Sequence, residues 1–167
     1  MGIKARLLAA GASAALASAG AFIGLHEGEV RTVYGDVGGV STYCFGGTQR
    51  ITQQEFTEHE CTEQLLIDAE HALRHVQRTV QREMPASVQV AMTSATYNAG
   101  VGAFSRSPML PYLKEGRWED ACAALIAPWE TSKGVARGWR ATVDLEPHRG
   151  LENRRQAEYE VCIQDLR

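Results

Sequence analysis

From Leu7 to Leu25 the chain runs 19 residues without a charge, and Lys4 and Arg6 stand just ahead of that stretch. As one continuous helix the run would rise roughly 28 Å, close to the hydrocarbon core of a bilayer at about 30 Å. Two cations before an uncharged stretch keep the N-terminus cytoplasmic and send the downstream chain across. The run is nevertheless poor in large apolar side chains: eight Ala, three Gly and two Ser make 13 of its 19 residues. Its four Leu, one Ile and one Phe each favour insertion by only about 0.3–0.6 kcal/mol at the membrane centre. Membrane affinity is therefore marginal. Three fates compete: a cleaved signal peptide using Ala17-Ser18-Ala19 as an A-x-A site, a permanent anchor, and an anchor that crosses and later slips out. The small-residue bias fits the last best. All three deliver the remainder across the membrane, so the expected division is a membrane segment at 1–25 and a single domain at 26–167.

A chain of 167 residues has room for one core of ordinary size. Of the formal net charge of −3, residues 1–25 hold +2, which leaves −5 for the other 142, and the pI is near 6.0. A nucleic-acid binder would carry a basic face or stripe, so no nucleic-acid partner is expected. Cys44, Cys61, Cys122 and Cys162 make an even set, which suits an oxidising compartment. Four cysteines allow three pairings and sequence does not choose among them. The pairing taken as the expectation is Cys44 with Cys61 and Cys122 with Cys162.

Residues 26–50 are rich in Gly, Thr, Val and Tyr, which predicts short strands and tight turns. Beyond Thr52 the apolar spacing turns helical: Leu65, Leu66, Ala69, Leu73, Val76 and Val80 share one face, and Pro85 ends it. A second helix is expected from Ala86 to Tyr97, stopped by Asn98-Ala99-Gly100. A third runs around Trp118 to Leu125 and closes near Pro128; a last helix follows Gly150. Residues 130–149 read as irregular. A small β region followed by a mostly helical lobe is an α+β architecture.

Glu27 ends the apolar segment, Asp36 falls in the Gly-rich region and Thr42 comes six residues later. Carboxylates on different elements can face each other across a cleft. The negative end of a helix, with Leu25 and Val30 beside it, favours the protonated form of Glu27, whereas glycines leave Asp36 solvated and ionised. Such an opposed pair is what glycoside hydrolysis requires.

Glu27, Asp36 and Thr42 match the Glu-x8-Asp-x5-Thr pattern within Glu27-Gly28, Tyr34-Gly35-Asp36 and Val40-Ser41-Thr42. Downstream stand Tyr97-Asn98-Ala99-Gly100-Val101-Gly102-Ala103-Phe104 with Ser107, then Gly150-Leu151-Glu152-Asn153-Arg154-Arg155. With these ordered motifs the chain resembles the phage T4-type lysozymes, glycoside hydrolase family 24, and among them the endolysins with an N-terminal signal-arrest-release segment. The four cysteines also fall where those endolysins carry theirs. The resemblance implies a lysozyme-like fold and a muramidase that cuts the β-1,4 bond between N-acetylmuramic acid and N-acetylglucosamine of peptidoglycan, lysing the host. It implies Glu27 as general acid, Asp36 as the carboxylate that activates water or stabilises oxocarbenium character, and Thr42 as the residue holding that water. Thr48, Tyr97 and Ser107 would line the cleft. It further implies glycan strands as substrate, no cofactor or metal, a monomer, and passage from the host inner membrane to the periplasm. Two departures stand out: Gly46-Gly47-Thr48 lacks the family's histidine, and the stretch between Trp129 and Gly150 is long.

Other signals are weaker. His71 and His75 lie i, i+4 but lack the Glu and third ligand of a metal helix. Trp118, Trp129 and Trp139 are expected mainly in packing, and Arg154 and Arg155 on a solvated or capping face. A lytic transglycosylase needs the acid but has no use for Asp36 and Thr42. A non-catalytic wall-binding module would need none of the three.

Overall fold

Gly11 and Ser13 break the N-terminal apolar run in two. In the computed structural model, which describes residues 1–35, 41–48, 51 and 53–167, α1 spans Ile3–Ala9 and α2 spans Ala14–Glu27. Gly11 takes φ +90° and Ser13 caps α2 by accepting a hydrogen bond from the Leu16 N–H at 3.3 Å, a glycine stop and serine start that reverse the chain. Among the described residues no helix is long and apolar enough to cross a membrane. The two helices lie together through small residues. A Cβ on Gly20 would stand 2.8 Å from Leu7 Cδ1, and one on Gly24 would stand 3.4 Å from Ile3 Cγ1. Glycines four apart let two helix backbones approach this closely.

The chain divides into two units, 1–71 and 72–167. In the first, residues 1–25 belong to the same unit as the β region. There β1 (Val30–Gly35) pairs antiparallel with β2 (Ser41–Cys44), with Tyr34 opposite Thr42 and Gly35 opposite Ser41. A bridge from Thr32 to Glu55 extends the other edge of β1, and Tyr43 stacks on Phe56 at 4.2 Å. Helix α3 (Glu58–Val80) is started by a capping box: the Thr57 N–H donates to Glu60 Oε2 at 2.7 Å and the Glu60 N–H to Thr57 Oγ1 at 3.2 Å. Leu7, Leu16, Ala17, Ala19, Ile23, Phe45, Leu65 and Ala69 are buried. Cys44 is bonded to Cys61.

The second unit is built on α4 (Ala86–Ala99), buried along most of its length, with α5 (Val101–Phe104), α6 (Met109–Glu115), α7 (Trp118–Ile126) and α8 (Arg149–Cys162). The short α5 and α6 carry too few apolar repeats for sequence periodicity to reveal them. Cys122 on α7 is bonded to Cys162 on α8, so both disulfides follow the expected pairing. Arg154 and Arg155, expected at a solvated or capping face, are instead buried. Arg154 Nε meets Glu158 Oε1 at 3.2 Å, Arg155 Nη1 meets Oε2 at 3.0 Å, and Ser94 Oγ donates to Oε1 at 2.7 Å. Paired at i+4 and i+3, the charges are compensated inside the fold. The segment read as irregular forms two hairpins, β3 (Pro128–Thr131) with β4 (Gly134–Arg137) and β5 (Thr142–Val143) with β6 (Glu146–Pro147). Asp144 and Leu145 both take positive φ, which closes the second hairpin in two residues. Strands of two to four residues are too short to display an alternation.

Candidate active site

Glu27 is the last residue of α2, and Gly28 ends the helix at φ +72°, its N–H bonded to the Gly24 carbonyl at 3.2 Å. The break matters because it turns the chain out of the helix and into β1 within two residues. The half-buried Glu27 side chain lies at the turn beyond β2. That turn is closed by reciprocal backbone hydrogen bonds between Tyr43 and Gly47, 3.0 and 2.9 Å. Gly46 sits at its tip with φ +83°, and a Cβ there would stand 3.3 Å from Glu27 Oε2. Gly46 is thus required twice, for a backbone conformation that side chains disfavour and for the space the carboxylate fills. Cys44, also at positive φ (54°), is tied to α3 by its bond to Cys61. The loop that meets Glu27 is anchored from both ends.

Thr42 lies on β2 with its side chain turned inward, almost fully buried, opposite Tyr34. Thr48 comes just after the turn and is exposed. Asp36 lies outside the described residues; it is next in sequence to Gly35, the last described residue of β1. Glu27, Thr42 and Thr48 therefore belong to the first unit, around one hairpin and its turn. Tyr97 and Ser107 belong to the second unit. Tyr97 is half-buried near the end of α4, and Ser107 is buried after α5, its hydroxyl without a hydrogen-bond partner among the described residues.

The weaker candidates are used locally. His75 Nε2 lies 2.9 Å from Ser105 Oγ, and Trp139 is buried with the Arg155 guanidinium 5.9 Å from its ring centre. Sequence reasoning missed two features. One is Gly46, signalled only by the Gly46-Gly47 pair. The other is Glu29, two residues beyond Glu27, which Arg6 and Arg31 both hold at 2.7 Å. Burial would raise the Glu29 carboxyl, but hydrogen bonds from Arg6 and Arg31 outweigh it and keep it below the ordinary value.

The phage lysozyme family model matches residues 24–158. The chain is 30% identical to the SAR-endolysin of Bacteriophage PS119 over 139 residues, covering 82% of this chain and 76% of that one. It is also 30% identical to the SAR-endolysin of Pseudomonas phage phiKMV over 152 residues, 90% and 89% of the two chains. Its fold is similar to that of the active form of P1 phage endolysin Lyz, with a TM-score of 0.74 and 24% identity over 89% of this chain and 85% of that one.

Proposed function

The chain belongs to the phage lysozyme family and is a peptidoglycan-lytic lysozyme, and from that premise we propose that Glu27, Asp36 and Thr42 carry its chemistry. The bond cut is the β-1,4 link between N-acetylmuramic acid and N-acetylglucosamine. Glu27 donates its proton to the bridging oxygen as the bond to the anomeric carbon breaks. Asp36 takes a proton from a water that attacks that carbon from the opposite face, and Thr42 orients the water. The outcome is inversion, a mechanism that in general requires a carboxyl separation of about 6.5–9.5 Å, room for that water. Thr48, Tyr97 and Ser107 contact the glycan.

The observation that carries this reading is the placement of the Glu27 carboxylate against the Gly46 turn, at the end of a broken helix and beside the hairpin bearing Thr42. Digestion of purified sacculi tests it. Wild type should release products with reducing-end muramic acid and Glu27→Gln should release almost none. Normal lysis by Glu27→Gln would refute the assignment, and 1,6-anhydro products would mark a transglycosylase.

The N-terminal segment enters the same proposal. As one uncharged helix it holds the protein, a monomer, in the host inner membrane; folded as α1 and α2 it completes the first unit in the periplasm. Support comes from Leu7, Leu16, Ala17, Ala19 and Ile23, which are buried in that unit and of which all but Ile23 would be lost on cleavage after Ala19. Depolarising the membrane should move the protein to the soluble fraction with Met1 or Gly2 still at its N-terminus. A mature chain beginning at Gly20 would establish ordinary secretion instead.

A further inference from the structure

Arg6 lies on α1, outside the matched stretch 24–158, yet it is 9% exposed and its guanidinium is fully engaged. Nη1 donates to Glu29 Oε2 at 2.7 Å and lies 3.2 Å from Glu58 Oε1. Nη2 donates to the Glu58 carbonyl at 2.9 Å, and Nε donates to Thr62 Oγ1 at 2.9 Å. Thr62 Oγ1 in turn donates to the same Glu58 carbonyl at 2.8 Å. The remaining Glu29 oxygen accepts from Arg31 Nε at 2.7 Å. One side chain therefore ties three pieces of chain together: α1, the corner Glu27-Gly28-Glu29, and the first turn of α3.

The corner needs such a tie. Gly28 is exposed, sits at φ +72°, and has nothing within 4 Å of where its Cβ would be, so packing at Gly28 itself does not fix the direction in which the chain leaves α2. Upstream, α1 holds α2 through Leu7 on Gly20 and Ile3 on Gly24; downstream, Arg6 holds Glu29. Glu27 lies between the two attachments. A planar fork with donors in fixed directions holds a carboxylate, a carbonyl and a hydroxyl at once, which a single ammonium cannot do.

We propose that Arg6 is a positioning residue for the hydrolytic reaction: its clamp on Glu29, Glu58 and Thr62 fixes the corner that carries Glu27. This rests on the reading of Glu27 as the acid. Small displacements of a reacting group cost rate rather than binding, since a shift of 1 Å can cost about a hundredfold.

The test uses the full chain recovered from the soluble fraction, with kcat and KM measured on purified sacculi and folding checked by circular dichroism. Arg6→Gln should lower kcat about tenfold with KM within about twofold. Arg6→Lys, which keeps the contact to Glu29 but not the fork, should recover part of the loss. Thr62→Val, which keeps both carboxylates, should lower kcat less and in the same direction, and it decides the matter if Arg6→Gln does not fold. Wild-type kcat in folded Arg6→Gln, or in Thr62→Val where Arg6→Gln is unfolded, overturns the proposal. So does a loss carried by KM alone, or one that Arg6→Lys does not relieve. Glu27→Gln is measured alongside. If it is inactive while Arg6→Gln is normal, only the role of Arg6 falls; if it is active, the assignment of the acid falls and this inference with it.

Discussion

Replacing Gly46 by alanine separates the two demands the turn makes on that residue. At φ +83° a side chain costs about 1–2 kcal/mol of stability, which for a chain of this size lowers the melting temperature by roughly 2–8 °C. The new methyl would also stand 3.3 Å from Glu27 Oε2, so the carboxylate must retreat by a few tenths of an ångström. Scaling from about a hundredfold per ångström, kcat on sacculi should fall about three- to tenfold with little change in KM. Gly116→Ala is the matched control. Gly116 has φ +77° and an equally close neighbour at 3.3 Å, but that neighbour is the Nη1 end of Arg82, an exposed and flexible side chain. Both variants should lose similar stability and only Gly46→Ala should lose kcat at a temperature where both are folded. Equal kcat in the two would refute the idea that the turn places the Glu27 carboxylate.

The two disulfides should divide their effects. The Cys122–Cys162 link closes 40 residues and Cys44–Cys61 closes 17, so paired serine substitutions should cost about 4 and about 3 kcal/mol in calorimetry. The smaller loss, at Cys44–Cys61, should carry the larger drop in turnover per folded molecule, because that link anchors the turn at Glu27. A second prediction concerns pH. Glu29 titrates below its ordinary value near 4.5, so its contribution to stability is complete above that value and disappears as pH falls through the lowered folded value. As pH falls below about 4.5 the melting temperature of wild type should fall more steeply than that of Glu29→Gln; parallel curves would contradict the Arg6–Glu29–Arg31 arrangement.

What the sequence made legible was whatever is short-range or periodic. The motif Glu27, Asp36, Thr42 spans 16 residues, and the buried positions of α3 recur every three or four residues, so neither needs a distant partner to be recognised. The rest depended on partners far along the chain. Arg6 stands next to an uncharged run and signals membrane topology, yet its partners are Glu29, Glu58 and Thr62, 23 to 56 residues away. Arg155 gains a half-buried partner in Asn98, 57 residues earlier, which the local pattern does not show. At Gly11 and Ser13 the stop and cap signals are present in the sequence, but 19 uncharged residues outweigh them. In the structure those residues, 1–25, fall in the same compact unit as the β region.

That a run suited to a bilayer also folds as a hairpin of helices is a consequence of its composition. In the membrane its six large apolar residues contribute about 2–4 kcal/mol in all. Burying Leu7, Leu16 and Ile23 in the first unit contributes roughly 5–9 kcal/mol before ordering costs, but moving Lys4 and Arg6 out against a potential of about 100 mV costs about 2.3 kcal/mol each. The proposed states therefore lie within a few kcal/mol, and loss of the potential favours the folded one. The balance can be shifted from one side only, because Ala9, Ala10 and Ala14 are exposed in the folded structure. Changing all three to leucine should add about 1–2 kcal/mol to insertion while leaving the core of the first unit untouched. After depolarisation, fractionation should find the membrane-bound to soluble ratio raised about five- to thirtyfold over wild type, with normal kcat in the fraction that is released. An unchanged ratio would mean that the hydrophobicity of this segment does not control its release.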